Sequence, residues 1–585
     1  NTTASNNTAV GYQALEENIT GAENTAVGSL ALDANTTGAY NTALGYAALG
    51  ANTTGNSNIA IGYASLDANT TSANNVAVGN GALGANTAAN NTAVGNEALQ
   101  LNTTGTLNTA VGGAALDANT TGSGNTGVGR GSLGANTTAS NNTALGYNAA
   151  SSSTTADNIT AIGSAALQNN TGGTDTTAVG KSALETNTTG DANCAFGRSS
   201  MSANTTGDNN CAFGKNSLAA NTTADHNTAF GHYALTANTT GYSNVAVGAF
   251  ALDAITTGTS CTALGHASLT NNTSSDCTAI GWQSAYSNTT GTYTVAVGGN
   301  ALFANTTGNY NTAVGNDSLK TNTTGTRNVA VGSFALEDTN ASNCTGCGYG
   351  ALAQNTTGSS NTAVGDHALT LNTTGVQCTA VGRDALKANT TAANNTAIGY
   401  NCLESNTTGQ NNAAIGYAAG SGCTTGSNNT FLGHNSGGSG VGNVTTGSNN
   451  VCVGDNNVAA AYIKVDWTTG SDRRDKTDIT DFTFGLSWIN KLNPVTYRWD
   501  NRSNYENGIP DGSKKASKLN IGLIAQDELE VEKEHGFGDT SDNMLITDID
   551  DGGNYGIQYS KLVPILINAV KELSAKVEEL ESKLN

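Results

Sequence analysis

The sequence predicts a mainly β protein: a long solenoid or roll built on a 17-residue repeat, then a separate α+β domain ending in a coiled-coil helix. Three observations carry this. A short block ending in glycine recurs along most of the chain, at Gly11, Gly28, Gly45, Gly62, Gly79, Gly95, Gly112 and onward to Gly416, Gly433 and Gly454. Each block alternates as a strand does. The composition then changes abruptly at Ser471.

The repeat comes first because it decides the architecture. There are 27 block-closing glycines; nearly every interval is 17, a few are 16 and the last is 21. The consensus is N-T-A-V-G-x-x-A-L-x-x-N-T-T-G-x-x. Thr-Ala-Val-Gly has the period of two that marks a strand. Asn-Thr-Thr-Gly has turn chemistry: Asn bonds to its own backbone and Gly accepts positive φ. A 17-residue unit closes no core alone, so rungs must stack, about 4.8 Å apart. Twenty-seven rungs span about 130 Å at that spacing. Leu and Val are expected in apolar ladders, with Asn and Thr in polar ladders at the corners.

Composition supports stacking over an ordinary core. Only 11% of the 585 residues are charged and 5% aromatic, while Gly numbers 73. With only 3 Pro and little charge, the chain also lacks the usual signature of disorder. A net charge of −21 disfavours nucleic acid as a partner. No apolar run approaches the ~20 residues of a membrane span, and membrane insertion is not expected. No signal peptide is visible, and a start at Asn1 reads as a processed product or fragment with an attachment part ahead of it.

The block N-T-A-V-G-x-x-A-L resembles the head repeats of trimeric bacterial adhesins, over about residues 5 to 454. That resemblance implies trimers of β-rolls, with an intertwined triple β-helix as the second choice.

All ten cysteines lie in the repeats. Cys194 and Cys211, and likewise Cys261 and Cys277, hold equivalent places on successive rungs. Ladder disulfides are geometrically open to them, but the plainer reading is small buried replacements for Thr or Val. Cys344 and Cys347 stand alone at their spacing, so no zinc site, other metal or cofactor is expected. Asn-x-Thr recurs, as at Asn35, Asn52 and Asn69, and reads as a rung corner before it reads as a glycosylation acceptor. Tyr12, Tyr46, Tyr63, Tyr147, Trp282 and Tyr400 follow the rung glycine. Stacking on sugars is open to them, yet the same slot also holds Ser, Lys, Asp and Asn, so scattered surface residues is the plainer reading.

Three parts follow: 1–454 the shaft, 455–470 a linker or tip, and 471–585 the C-terminal domain. The linker includes Tyr462-Ile463-Lys464-Val465-Asp466-Trp467. The domain opens on Ser471-Asp472-Arg473-Arg474-Asp475-Lys476-Thr477-Asp478-Ile479. It continues through Leu492-Asn493-Pro494-Val495-Thr496-Tyr497-Arg498-Trp499 and Ile521-Gly522-Leu523-Ile524-Ala525-Gln526-Asp527. It closes on Tyr559-Ser560-Lys561-Leu562-Val563-Pro564-Ile565-Leu566. This order of motifs resembles the C-terminal intramolecular chaperone of phage endosialidases, tailspikes and tail fibres. The resemblance implies self-cleavage at Gly470–Ser471, with Ser471 as nucleophile and Lys476 as base. Such a lysine must be neutral, which burial promotes. Asp472 and Arg474 are expected to shape the turn or pair between subunits. The competing reading is that Ser471 only caps the following segment.

In the last helix Leu566, Val570, Leu573, Val577, Leu580 and Leu584 are spaced 4, 3, 4, 3, 4, the a/d seam of a coiled coil. The number three comes from the resemblance. Together these readings point to a homotrimeric structural or adhesive fibre of a phage or virus. It would carry an upstream virion attachment protein and recognise a host cell-surface receptor, with a glycan among the candidates. A bacterial surface adhesin is the alternative. A glycan-degrading tailspike is a weaker one, because no convincing acidic pair is present. Turnover of an external substrate is not expected. The irregular last rung, His434 to Gly454, is the expected tip.

Overall fold

The computed structural model describes every residue except 1–2, 439–441, 456, 459–460, 463, 465–468, 503–504, 551–552 and 585. Most of the linker stretch from Ile463 to Trp467 therefore lies outside the described residues. The chain divides into two compact units, 1–327 and 328–585.

Among its described residues, the first unit holds nineteen three-residue strands, from Thr8–Val10 to Thr312–Val314. Each pairs in parallel with the next, one rung on: Thr8 faces Thr25, Ala9 faces Ala26 and Val10 faces Val27. The second unit begins with eight more such strands, Val329–Val331 to Val451–Val453, in the same register scheme. The predicted solenoid of 17-residue rungs is thus the observed fold of both units.

The interior differs from the expected one. The middle residue of the strand points in: Ala26, Ala43 and Ala60 are fully buried. The outer two point away, so Val10 and Leu44 are exposed at 59% and 47%. The apolar ladders inside consist of Ala and of Leu from the following turn, such as Leu32, Leu49 and Leu66. Val belongs to the outside. Asn forms the expected polar ladder, but from inside the rung. Asn35 and Asn41 are fully buried, and so are their counterparts on most rungs.

Those asparagines are affordable because their amides are satisfied along the stack. The Asn35 side-chain amide donates to the side-chain oxygen of Asn18 at 2.8 Å and to the Gly38 carbonyl at 3.0 Å. The Asn41 backbone N–H donates to the Asn24 side-chain oxygen at 2.9 Å, and its side-chain amide to the Gly55 carbonyl at 2.8 Å. Each rung therefore lends two amides to its neighbours. Where the ladder breaks, an oxygen is orphaned: Asn136, Asn238 and Asn406 each have an unpartnered buried Oδ1, and the next rung carries Ser153, Ile255 or Cys423 instead.

Positive φ also falls in an unexpected place. The glycine that ends the strand takes it, with Gly28 at φ 137°, and a Cβ there would lie 2.3 Å from the Gly45 carbonyl oxygen. Only glycine fits. The glycine of Asn-Thr-Thr-Gly is not left-handed. At Gly38 a Cβ would instead meet the Asn35 amide oxygen and the Gly55 carbonyl oxygen, both at 2.4 Å. Leu30 and Leu32 adopt the left-handed conformation in the turn, at φ 61° and 52°.

In the C-terminal region of the second unit, Val495–Tyr497 pairs antiparallel with Asn520–Gly522, which brings two of the quoted motifs side by side. Thr547–Ile549 pairs with Tyr555–Ile557. Among the described residues, three α-helices follow the chain order: α1 (Leu486–Ile489), α2 (Ala525–Glu534) and α3 (Leu562–Leu584). Trp488, Ile546, Leu562 and Ile565 form the core, ringed by Phe482, Phe484 and Phe537. Helix α3 docks through Leu562, Ile565 and Ala569. These lie on a different stripe from the a/d seam.

Candidate functional site

The site starts at an open chain segment. Nothing would contact a Cβ at Gly470 within 4 Å, and Ser471 is exposed. A single 3₁₀ turn, Arg473–Asp475, then reverses the backbone. Asp472 caps it, its carboxylate accepting the Arg474 backbone N–H at 2.9 Å. The Arg474 guanidinium closes on the same carboxylate, with its Nη2 at 2.6 Å, and this hydrogen bonding holds the Asp472 carboxyl below the usual carboxylate range. The cap is thus Asp472 and not Ser471. In the single chain the Asp472–Arg474 pair is made within the turn.

That turn carries Lys476 back to Ser471. Its Nζ donates to the Ser471 Oγ at 2.5 Å. A base five residues from a hydroxyl reaches it because one 3₁₀ turn intervenes; an extended segment would place them about 16 Å apart. A lysine takes a proton only as the neutral amine, which removal from water favours. Both side chains are exposed in the single chain.

Among the described residues the α3 seam is exposed and nothing covers it. Leu566, Val570, Leu573, Val577, Leu580 and Leu584 are exposed at 46%, 65%, 53%, 46%, 59% and 86%. Among the described residues no group of three or more His, Cys, Asp or Glu is placed to hold a metal. Among the same residues no helix is long and apolar enough to cross a membrane.

The repeats settle several smaller readings. None of the ten cysteines is joined in a disulfide within the chain. Cys261 and Cys277 stand in the buried Asn ladder, where the Cys261 backbone N–H donates to the Asn244 Oδ1 at 3.0 Å. They replace Asn there, not Thr or Val. Burial pushes the Cys402 thiol up to about 12, which keeps it protonated and unreactive. Asn35, Asn52 and Asn69 are fully buried, which withholds them from glycosylation in the folded shaft. Several aromatics after the rung glycine stack on one another: Tyr46 on Tyr63 at 5.4 Å, Tyr400 on Tyr417 at 5.3 Å, and Tyr417 on His434 at 5.2 Å. Each stack covers one face of the rings at its ends and both faces of Tyr417.

Three acidic residues that sequence reading missed matter to the domain. Glu532 is fully buried and accepts backbone N–H groups of Leu545, Ile546 and Thr547 at 2.9, 2.8 and 2.6 Å. Glu528 takes the Trp488 indole N–H at 3.0 Å, and its other oxygen has no partner. Burial pushes its carboxyl above the usual range. Asp550 accepts the backbone N–H groups of Gly442 and Asn443 at 2.8 and 3.2 Å. Burial opposes its ionisation, but hydrogen bonds from Asn554, Gly442 and Asn443 hold it below the usual range. Gly442 and Asn443 sit in the rung whose interval is 21, so the irregular rung meets the C-terminal domain. The long interval was the only sequence signal of this contact.

Residues 471–537 match the family described as chaperone of endosialidase. No curated protein and no solved structure matches the chain. The family match begins at Ser471, where the composition changes. It ends before the Tyr559 to Leu566 motif.

Proposed function

We propose that the chain is a homotrimeric fibre whose C-terminal domain aligns three copies and then cuts itself off at Gly470–Ser471. The observation that carries the reading is the Ser471–Lys476 hydrogen bond, formed by the first six residues of the chaperone match. Ser471 stands on the leaving side of the scissile bond. Its Oγ attacks the Gly470 carbonyl carbon while Lys476 takes the hydroxyl proton. The C–N bond breaks, the Ser471 nitrogen receives that proton, and an ester joins Gly470 to Oγ. Water then hydrolyses the ester, leaving a Gly470 carboxylate and a free N-terminal Ser471. Lys476 needs cover from water to act, and assembly would supply it.

A repetitive shaft has reason to need such a domain. Sliding one copy by a rung leaves nearly every contact intact, so the shaft sets its own register poorly. A nonrepetitive domain that trimerises first fixes it. Cleavage then removes the template and makes the shaft kinetically stable. The fibre reading supports a role in attachment of a phage or virus to a host surface receptor, through the shaft and its last rung. A bacterial adhesin with the same shaft is the second reading, favoured by the repeat alone.

The test is the intact mass of the chain beside Ser471→Ala and Lys476→Met. Two fragments meeting at Gly470–Ser471 in the wild type, with one full-length chain in each variant, are expected. An uncut wild type refutes the assigned roles of Ser471 and Lys476.

A further inference from the structure

Among the described residues, all 27 shaft strands end on Val, Ile, Leu, Phe or Cys. This is the outward third position, so a stripe with no polar residue runs along the outside of each unit. The slot three residues on from the buried middle residue, just past the rung glycine, differs. It holds Asn80, Asn96, Arg130, Lys181, Lys215 and Asp366 among others. Positions that face water in every rung accumulate such residues; the strand end never does. The first strand residue is Thr, Val, Ile, Cys or Ala and is never charged.

These residues are far from hidden. Val94 keeps 37% of its surface, Leu145 47% and Phe230 48%. At about 50 Å² each, the nineteen third residues of the first unit present on the order of 1,000 Å². That exceeds the largest apolar patch of a typical single soluble chain, about 300–600 Å². It also meets the ~800 Å² that each partner gives to a standard interface.

We propose that this strand face is where copies of the shaft pack on one another, each laying its strand ends against those of two others. This rests on the three-copy reading above and names its surface. The occupant must match an apolar ladder with a rise of about 4.8 Å over many rungs, and a second copy of this chain has that period. Each copy carries a charge of −21 and repels its neighbours, so the uncharged stripe is the favourable line of approach. The exposed seam of α3 gives the same chain a second apolar stripe of self-complementary spacing. Parallel copies in register then bring like residues together, so Cys347, itself a third-position residue, meets Cys347 of the other copies.

The experiment uses the full chain. Wild type is treated with a short bis-maleimide and cross-links are mapped. In parallel, the detergent-resistant three-chain fraction is measured for Val94→Lys/Val111→Lys and for the control Asn80→Lys/Asn96→Lys. Interchain links at Cys347, and at least a ten-fold loss of the three-chain fraction in the Val variant alone, are expected, with cleavage at Gly470–Ser471 retained. A three-chain wild type without Cys347 links, or Val and Asn variants equally resistant, overturns this surface and leaves the three-copy reading standing. A wild type that cuts itself and remains a single chain overturns both.

Discussion

Replacing Asn119 with Leu tests whether the buried amide ladder holds the shaft together. The Asn119 amide donates to the Asn102 Oδ1 at 2.7 Å and to the Gly122 carbonyl at 3.0 Å, and its oxygen accepts from Asn136 at 2.8 Å. Leucine has similar bulk but leaves the Asn102 Oδ1 buried without a partner, and it takes one hydrogen bond each from the Gly122 carbonyl and the Asn136 amide, which keep Asn108 and the Ala139 carbonyl. Each orphaned group costs about 1–3 kcal/mol. One such oxygen and two lost hydrogen bonds at about 0.5–1.5 kcal/mol each, offset by relaxation and the apolar burial of leucine, give an expected net loss of about 2–4 kcal/mol. A repeat shaft responds locally, with coupling mainly between adjacent rungs. Hydrogen–deuterium exchange with peptide-level mass analysis is therefore the suitable assay. At tenfold per 1.4 kcal/mol, amides in rungs 102–136 should exchange roughly 30-fold faster or more. Rungs beyond residue 200 should be unchanged. Thr121→Ala, at an exposed side chain of the same rung, should change exchange by less than about threefold. Equal exchange in Asn119→Leu and Thr121→Ala would refute the ladder argument, and would mean that backbone stacking alone stabilises the rungs.

Gly180→Ala should open its rung by about 3 kcal/mol or more, because alanine disfavours φ 134° and its Cβ would lie 2.5 Å from the Gly197 carbonyl oxygen; limited proteolysis between residues 163 and 197 reads this. Glu528 has a folded pKa raised by burial above 4.5, so the native state binds its proton more tightly than the unfolded chain does. Its contribution is present below that value and is lost as pH rises through the folded one. Glu528→Gln should therefore gain on wild type in urea stability between pH 4 and pH 8, followed by tryptophan fluorescence, and a pH-independent difference would contradict the assignment. Asp550→Ala removes the acceptor for Gly442 and Asn443, and the released C-terminal fragment should then co-elute less with the shaft in size-exclusion chromatography. Retention equal to wild type would show that this contact does not hold the fragment.

The strands, the 17-residue period and the change of chain character at Ser471 were legible in the sequence. They depend on local chemistry: three alternating residues, a glycine that alone tolerates its φ, and charge that begins abruptly. The a/d seam was legible for the same reason, since its spacing needs only a helix. Its separation from the docking stripe of Leu562, Ile565 and Ala569 was not, because both stripes are apolar and only packing tells them apart.

What the sequence by itself determined, then, is that rungs repeat and stack and that the chain changes character at Ser471, whereas the single turn that brings Lys476 to Ser471 appears only in the structure. The tertiary structure decided which side of each strand is inside. Alternation fixes that Ala and Val point opposite ways but not which of them points in. Hydrophobicity alone would bury Val. The rung closes around a narrow interior already filled by Leu and by two asparagines, leaving room for a methyl group. The asparagines can be there because the next rung satisfies each amide, a partner 17 residues away that appears only once the chain has stacked.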